Sequence, residues 1–393
     1  MSSSTPGLRT PGLRTLGTAR AAPCAPAARA RVVVLREAGA LAAHVAAWEE
    51  LAAHVAEPNP FYEPWMLLPA LRRPGARFEL VLVYANAVRL IGLFPLERLA
   101  RFKRLPLSAL RMWSHSHCYL RTPLLRCGRE SEALEAFFAW AARESGASLV
   151  QLQEVPGEGL FHQALARHFG RHPEAVYFAE RYVRALFRPQ RSGAEYLRAA
   201  LPGRRLKEFR RLARRLAERG PLAYRVLGPE DGAEDWIQGF LALEARGWKG
   251  RAGTALASAP ADRAFFEAVA REATRRGRLD MDGLYLGGRA LALSCRIRAG
   301  EGAFAFKIAF DEAFAAFSPG VLLELAHLER VHREGRVRWI DSCAVPGHFM
   351  AQRLWRERRV LQMLTVGAGA AGSLLVLLLP LLRWAARRLR RTP

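Results

Sequence analysis

Apolar and polar positions alternate most regularly between residues 302 and 310. Phe304, Phe306, Ile308 and Phe310 fall on one face of an extended chain, and Ala303, Ala305, Lys307 and Ala309 on the other. A period of two predicts a strand. After an aromatic loop, Leu322, Leu323, Leu325, Ala326 and Leu328 supply the apolar face of a helix over 318–334, with Ser318 as N-cap and Pro319 at its first position. Upstream, apolar runs predict strands at 222–226, 279–286 and 290–298, and helices at 194–200, 204–218, 230–246 and 261–276. Downstream, strands are expected at 337–341 and 359–365.

The first half carries the same mixture. Strands are expected at 31–36, 149–152 and 182–187, a hairpin at 78–84 and 88–93, and helices at 41–56, 61–71, 134–145 and 160–168. The helix at 41–56 holds LAAHVA twice, ten residues apart, a spacing that turns His44 and His54 onto different faces. Pro58 and Pro60 stop it. The alternation of strands and helices places the chain in the α/β (α+β) class. Its 393 residues suit two domains, expected at 31–190 and 191–366. Residues 1–30 are rich in Pro, Ala, Arg and Gly, repeat Thr5–Arg9 as Thr10–Arg14, and are expected to be disordered. They have no apolar signal-peptide core. Residues 367–393 form a hydrophobic and then basic tail.

Charge and cysteine usage narrow the picture. The formal net charge is +24, yet of 60 lysines and arginines only four are lysines, Lys103, Lys207, Lys249 and Lys307. So arginine-rich a composition reflects codon bias as much as a basic surface. A positive field still attracts nucleotides, CoA, tRNA and acidic lipid headgroups. Zinc-finger spacing and RNP-like motifs are absent, which argues against nucleic acid as a general partner. The basic helix at 204–219 is a solvated face or a surface for nucleotide, tRNA or membrane. The five cysteines are scattered without CxxC, which argues against a disulfide framework and a structural metal and fits a reducing cytoplasm. His115 and His117 beside Cys118 lack a further ligand, so no metal is expected there either.

Several residues could carry chemistry. Ser318-Pro319-Gly320 is either an ordinary helix cap or a site where the amides of Gly320, Val321 and Leu322 receive a phosphate. Lys307 is either solvent-facing or paired with a phosphate or an oxyanion. Asp311 and Asp341 end successive strands; if the strands are neighbours, both carboxylates lie at one sheet edge, as bases or as turn caps. Glu244, Trp248 and Lys249 meet at a GWKG junction, where core packing is the expectation for Trp248. His348 is a base by residue type in a loop where histidines are ordinarily solvated.

The segment from Phe306 to Cys343 (FKIAFDEAFAAFSPGVLLELAHLERVHREGRVRWIDSC), with LEARGWKGRAGTAL at Leu243–Leu256, FMAQRLWRERR at Phe349–Arg359 and AEPNPFYEPWMLLPAL at Ala56–Leu71, resembles the FemAB-like and CelD-like branch of the GNAT superfamily. The resemblance covers residues 31–365 in motif order. It implies two tandem GNAT-like domains, each a mixed, mostly antiparallel sheet flanked by helices. It implies acyl transfer to a small-molecule or glycan amine, from acetyl-CoA or another acyl-CoA, or from aminoacyl-tRNA as in the FemAB branch, in cell-envelope or exopolysaccharide pathways. Catalytic candidates are then Lys307, Asp311, Asp341 and Glu244; donor-binding candidates are Ser318, Gly320, Val321 and Leu322; acceptor candidates are Trp248, Lys249 and His348. The Arg/Gln-x-x-Gly-x-Gly/Ala pyrophosphate loop of GNAT enzymes is missing, and Ser318-Pro319-Gly320 occupies its place. A non-catalytic scaffold of the same fold is the competing class.

The tail stands apart. Between Arg359 and Arg383 there is no charged residue, and arginines come after. Either a short membrane span, a helix in the interface of an anionic inner leaflet, or a helix on the protein core fits this pattern.

Overall fold

The computed structural model describes residues 30–389 except 104, 171–175, 346 and 348. Residues 1–29 of the expected disordered segment, and His348, therefore lie outside the described residues. The first half contains β1 (Arg31–Leu35), α1 (Val45–Ala53), α2 (Pro64–Leu71), β2 (Glu79–Tyr84), β3 (Leu90–Leu99), β4 (Ala109–Met112), β5 (Leu124–Leu125), α3 (Glu130–Arg143), β6 (Leu149–Pro156), α4 (Gly159–Phe169) and β7 (Val176–Phe187). The second half contains α5 (Gly193–Ala200), α6 (Gly203–Ala217), β8 (Leu222–Val226), α7 (Ala233–Arg246), α8 (Trp248–Arg251), α9 (Pro260–Arg275), β9 (Leu279–Leu286), β10 (Arg289–Ala299), β11 (Gly302–Phe310), α10 (Pro319–Glu334), β12 (Trp339–Asp341), α11 (Phe349–Leu354), β13 (Glu357–Gly367) and α12 (Gly369–Leu389). The helix expected at 41–56 begins as a 3-10 turn over Ala38–His44, and only 45–53 is α-helical.

The two halves share one continuous sheet, ordered β1-β2-β3-β4-β6-β13-β7-β12-β11-β10-β9-β8, with β5 paired to β3 off this path. Neighbours are antiparallel except β4 with β6 and β11 with β12. The boundary expected at residue 190 is not a gap in this sheet. β7, from the first half, pairs with β12 through Ile340↔Phe187 and Asp341↔Leu186. β13, expected as the last strand of the second half, lies between β6 and β7, running from Glu357↔Leu186 to Val366↔Val176. Each half thus supplies a strand to the other, so neither closes its sheet alone.

Side chains lock the same seam. Phe61 from the first half meets the Phe304 ring edge-on at 5.3 Å, and Tyr119, also from the first half, meets Phe306 edge-on at 5.9 Å. Such aromatic pairs add about 0.5–1.5 kcal/mol beyond the area they bury. Arg276 forms two hydrogen bonds to Glu49, at 2.7 and 3.0 Å, and Arg278 pairs with Glu63.

The shortness of β12 splits the sheet locally. It meets only the start of β11, in the register Gly302↔Trp339 to Phe304↔Asp341, and the chain then turns away. From Ala305 onward β11 keeps β10 on one side and has an open edge on the other. The splay begins at a tight contact: a Cβ on Gly302 would overlap the Trp339 ring. Gly302→Ala is therefore expected to destabilise the fold by about 1–3 kcal/mol in denaturant unfolding. Gly203→Ala, where nothing lies within 4 Å, serves as the near-neutral control.

α12 packs Leu375, Val376 and Leu379 against Phe102, Ala109 and Leu149. Among the described residues no helix is long and apolar enough to cross a membrane.

Candidate active site between the two halves

Where β11 and β12 part, a cavity of about 360 Å³ opens. Its walls come from β10 (Ser294–Arg296), β11 (Ala305–Ile308), α8, Glu324 of α10, the segment after β12 (Ser342–Val345), α11 and Trp355. Tyr119, from the loop that follows β4, closes it from the first half.

Lys307 is the central polar group. The expected alternation does not hold here: an irregularity in the β10–β11 register, where Ile297↔Phe304 is followed by Cys295↔Lys307, brings Lys307 to the Phe304 side, towards the first half, with its ammonium 5.4 Å from the Phe306 ring centre. Its Nζ donates to the Tyr119 hydroxyl at 2.7 Å and pairs with His117 Nδ1 at 3.0 Å. On its other side His117 Nε2 meets Asp262 Oδ1 at 3.0 Å, and Asp262 also accepts from Arg73 Nη2. The pattern requires His117 to accept at Nδ1 and donate from Nε2, which is the neutral ring. Burial and the neighbouring Lys307 ammonium, against the pull of Asp262, push the His117 pKa down to about 4. Burial opposes ionisation of Asp262, but Arg73 and His117 hold its carboxyl below the usual range. Burial, and next the ammonium of Lys249, lower Lys307 to about 8. Burial raises Tyr119 far above the ordinary phenol value, so it stays protonated.

Lys249 is the second cation at the cavity. Its Nζ meets Glu244 Oε1 at 2.7 Å and reaches the Ile308 carbonyl, on the open edge of β11, at 3.4 Å. Glu244 is buried, and its other oxygen accepts the Leu256 N–H at 2.8 Å. Both Glu244 oxygens are thus committed to holding Lys249 and the end of the α8 loop. Trp248 departs from the expected core packing: it is 54% exposed at the cavity rim, because its N–H is tied to Glu312 and α8 is a single turn.

Beneath the cavity lies a buried ionic network. Arg296, 2% exposed, donates to Asp282 Oδ1 at 2.8 Å, to Ser294 Oγ at 2.7 Å and to Glu324 Oε2 at 3.1 Å. Trp355 Nε1 donates to Glu324 at 3.0 Å, and His327 Nδ1 and the Tyr224 hydroxyl both reach Asp282 Oδ2. Burial opposes both charges, yet each holds the other ionised: Asp282 lies well below the carboxylate range and Arg296 above its own. The network fixes the floor of the site. Cys343 also lines the cavity, but burial drives its pKa far up, so it remains a thiol.

Other expected residues sit elsewhere. Asp311 and Asp341 do not share a sheet edge. Their strands are neighbours, but Asp341 stands opposite Phe304, and seven residues of β11 at about 3.3 Å each separate it from Asp311. Asp311 accepts the Ala313 N–H at 3.1 Å and pairs with Arg289. Asp341, fully buried, is clamped by Arg184 of β7 and Arg359 of β13, each at 2.8 Å, and accepts the Cys343 N–H at 2.9 Å.

The start of α10 differs too. Ser318 adopts a left-handed conformation (φ 53°, ψ 51°), and its carbonyl, rather than its hydroxyl, takes the N–H groups of Val321 and Leu322 at 2.9 and 3.0 Å. Two of the three amides expected to receive a phosphate, those of Val321 and Leu322, are therefore occupied. A Cβ on Gly320 would point at Ile308 and Phe310, so this glycine faces β11. Ser318 and Val321 instead line a second groove of about 520 Å³, with Arg205 and Arg353, which meets the first cavity at Met350. Sequence reasoning misses His117, Tyr119 and Asp262 as the company of Lys307. Their one signal is the His115-Ser-His117 loop, and that loop lies 190 residues away in the chain.

Residues 203–349 match the family model described as an acetyltransferase (GNAT) domain. No curated protein matches the chain. Among solved structures the chain is similar to FemX, with 10% identity and TM-score 0.53 over 82% of this chain and 95% of that one. It is also similar to a conserved protein of unknown function from Bacteroides thetaiotaomicron, with 12% identity and TM-score 0.50 over 82% of this chain and 97% of that one. A tandem GNAT protein from the clavulanic acid biosynthesis pathway aligns at 15% identity and TM-score 0.41 over 86% of this chain and 99% of that one.

Proposed function

We infer that this chain, a GNAT-superfamily acyltransferase on a FemX-like fold, acylates an amine in the cavity between β11 and β12, with Lys307 as the general base. The observation that carries this reading is the setting of Lys307. In its neutral form the amine has two N–H bonds and one lone pair. His117 and Tyr119 take the two N–H bonds, which leaves the lone pair for the cavity.

The acceptor ammonium gives a proton to Lys307 Nζ, and the freed amine attacks the acyl carbonyl. Negative charge grows on that oxygen, and the Lys249 ammonium, anchored by Glu244, offsets it. Collapse of the tetrahedral intermediate expels the donor's thiolate, which takes the first proton from Lys307; Lys307, neutral again, then removes the second proton from the acylated nitrogen and passes it to solvent. The open edge of β11 offers backbone groups to an extended donor arm, and Arg205 and Arg353 in the adjoining groove suit its phosphates. We take the donor to be an acyl-CoA, acetyl-CoA first. Trp248 at the rim offers a flat surface to the acceptor, an amine on a small molecule or glycan of the kind the FemAB-like and CelD-like resemblance implies.

The test measures thiol release from acetyl-CoA with a panel of amino sugars and other primary amines, over a range of pH. A base must be unprotonated to act, so kcat/KM should rise with pH and level off above about 8. Lys249→Met removes the second-largest cause of the lowered value, so the limb should move to higher pH as the maximal rate falls. Absence of acetyl-CoA binding in calorimetry, with turnover from aminoacyl-tRNA, would move the donor to tRNA. Absence of both would leave the scaffold reading.

A further inference from the structure

We propose that α12 docks the protein onto the surface of an anionic lipid bilayer. The helix has two unlike faces. Leu375, Val376 and Leu379 are at most 9% exposed and pack on the sheet. Leu374, Leu377, Leu378 and Leu381 are 60%, 54%, 42% and 64% exposed. The spacing i, i+3, i+4, i+7 makes those four one continuous outward stripe. Exposed Ala371 and Pro380 extend it, and no charged residue occurs from 360 to 382. Scattered exposed leucines are ordinary, but a stripe of four on one helix marks an interaction surface.

Charge selects the occupant. Directly after the stripe the helix continues through Arg383, Arg387 and Arg388. The loop that packs against α12 through buried Phe102 carries Arg101 and Lys103, both exposed. Arginines therefore follow the apolar stripe along the chain, and the exposed Arg101 and Lys103 flank it, the charge pattern of a helix whose leucines enter the acyl boundary of an anionic leaflet. A second copy of the chain would bring two such basic clusters together. A transmembrane placement is also ruled out by length, because Gly369–Leu382 rises only ~21 Å against a hydrocarbon core of ~30 Å. Docking would hold the enzyme at a membrane surface, where lipid-linked amines are concentrated.

The experiment is flotation of the full chain with phosphatidylcholine vesicles, with and without phosphatidylglycerol. The protein is expected to float with the phosphatidylglycerol vesicles and to be released by high salt. Leu377→Asp with Leu381→Asp should weaken that binding by ~10-fold or more, because two charges replace leucines that would enter the acyl boundary. The thermal unfolding midpoint should not change, since neither side chain belongs to the core. Arg383→Glu with Arg387→Glu should also weaken it and flatten its salt dependence. Three results would overturn the proposal: no flotation of the unaltered protein, equal flotation of the leucine variant, or a dimer without vesicles that the leucine variant dissolves.

Discussion

Lys307→Met is expected to lower kcat/KM for amine acylation ~10²–10⁴-fold, the usual contribution of a positioned general base. The acyl donor should still bind, because methionine fills the same volume and the open edge of β11 is unchanged. Lys307→Arg should not restore activity, since a guanidinium does not deprotonate in this range. Stability separates this loss from misfolding. A lysine held near 8 instead of its ordinary value opposes folding while it is charged. By sign, that cost is fully present below the folded pKa and is relieved as pH rises from about 8 towards the unfolded value. It is of order 3 kcal/mol at neutral pH, less whatever solvent screening removes. The methionine side chain carries no charge, so the variant should unfold no earlier than the parent at neutral pH while being nearly inactive. His117→Ala should have a milder effect on rate. It leaves Lys307 without one of the groups that aim it, and the pH limb should shift as well as the maximum.

Asp341→Ala is the complementary case, large in stability rather than in chemistry. The carboxylate neutralises Arg184 and Arg359, which come from two strands of the inter-half seam, and it caps the turn that starts the cavity wall. Removing one member of a buried ionic cluster leaves uncompensated charge and costs about 3–5 kcal/mol. The denaturant midpoint should fall accordingly, while the protein that remains folded keeps much of its kcat. A catalytic Asp341 would behave oppositely, losing rate with little change in midpoint.

The contrast between Lys307 and Asp341 shows what is legible in the sequence. Local periodicity places the strands at 279–286, 290–298 and 302–310 and the helix at 318–334 within a residue or two. Periodicity expects Lys307 on the face opposite the phenylalanines, but the register shift between β10 and β11 returns it to the side of Phe304. Resemblance supplies the fold class and the expectation of acyl transfer in general. The illegible part is non-local. β13 lies between β6 and β7, and no local pattern encodes which strand a terminal segment joins. The contact of Lys307 with His117 and Tyr119 spans the seam and is hidden for the same reason. Asp311 and Asp341 look equivalent while strand-end position is taken without register, and a three-residue β12 displaces one from the other. Ser318 has the residue type of a side-chain cap, whereas its left-handed backbone turns the carbonyl to the amides instead. Asp282 and Arg296 each sit in a mostly apolar strand beside other charges, Asp280 and Arg298, and nothing local shows which of them pair beneath a cavity.

With only four lysines in the chain, the central claim can be tested directly by titrating 13Cε-labelled lysine in the intact protein by NMR. One resonance, absent from Lys307→Met, is predicted to titrate near 8 and to move upward in Lys249→Met. A Lys307 resonance that titrates with the ordinary value of about 10.4 would contradict the account.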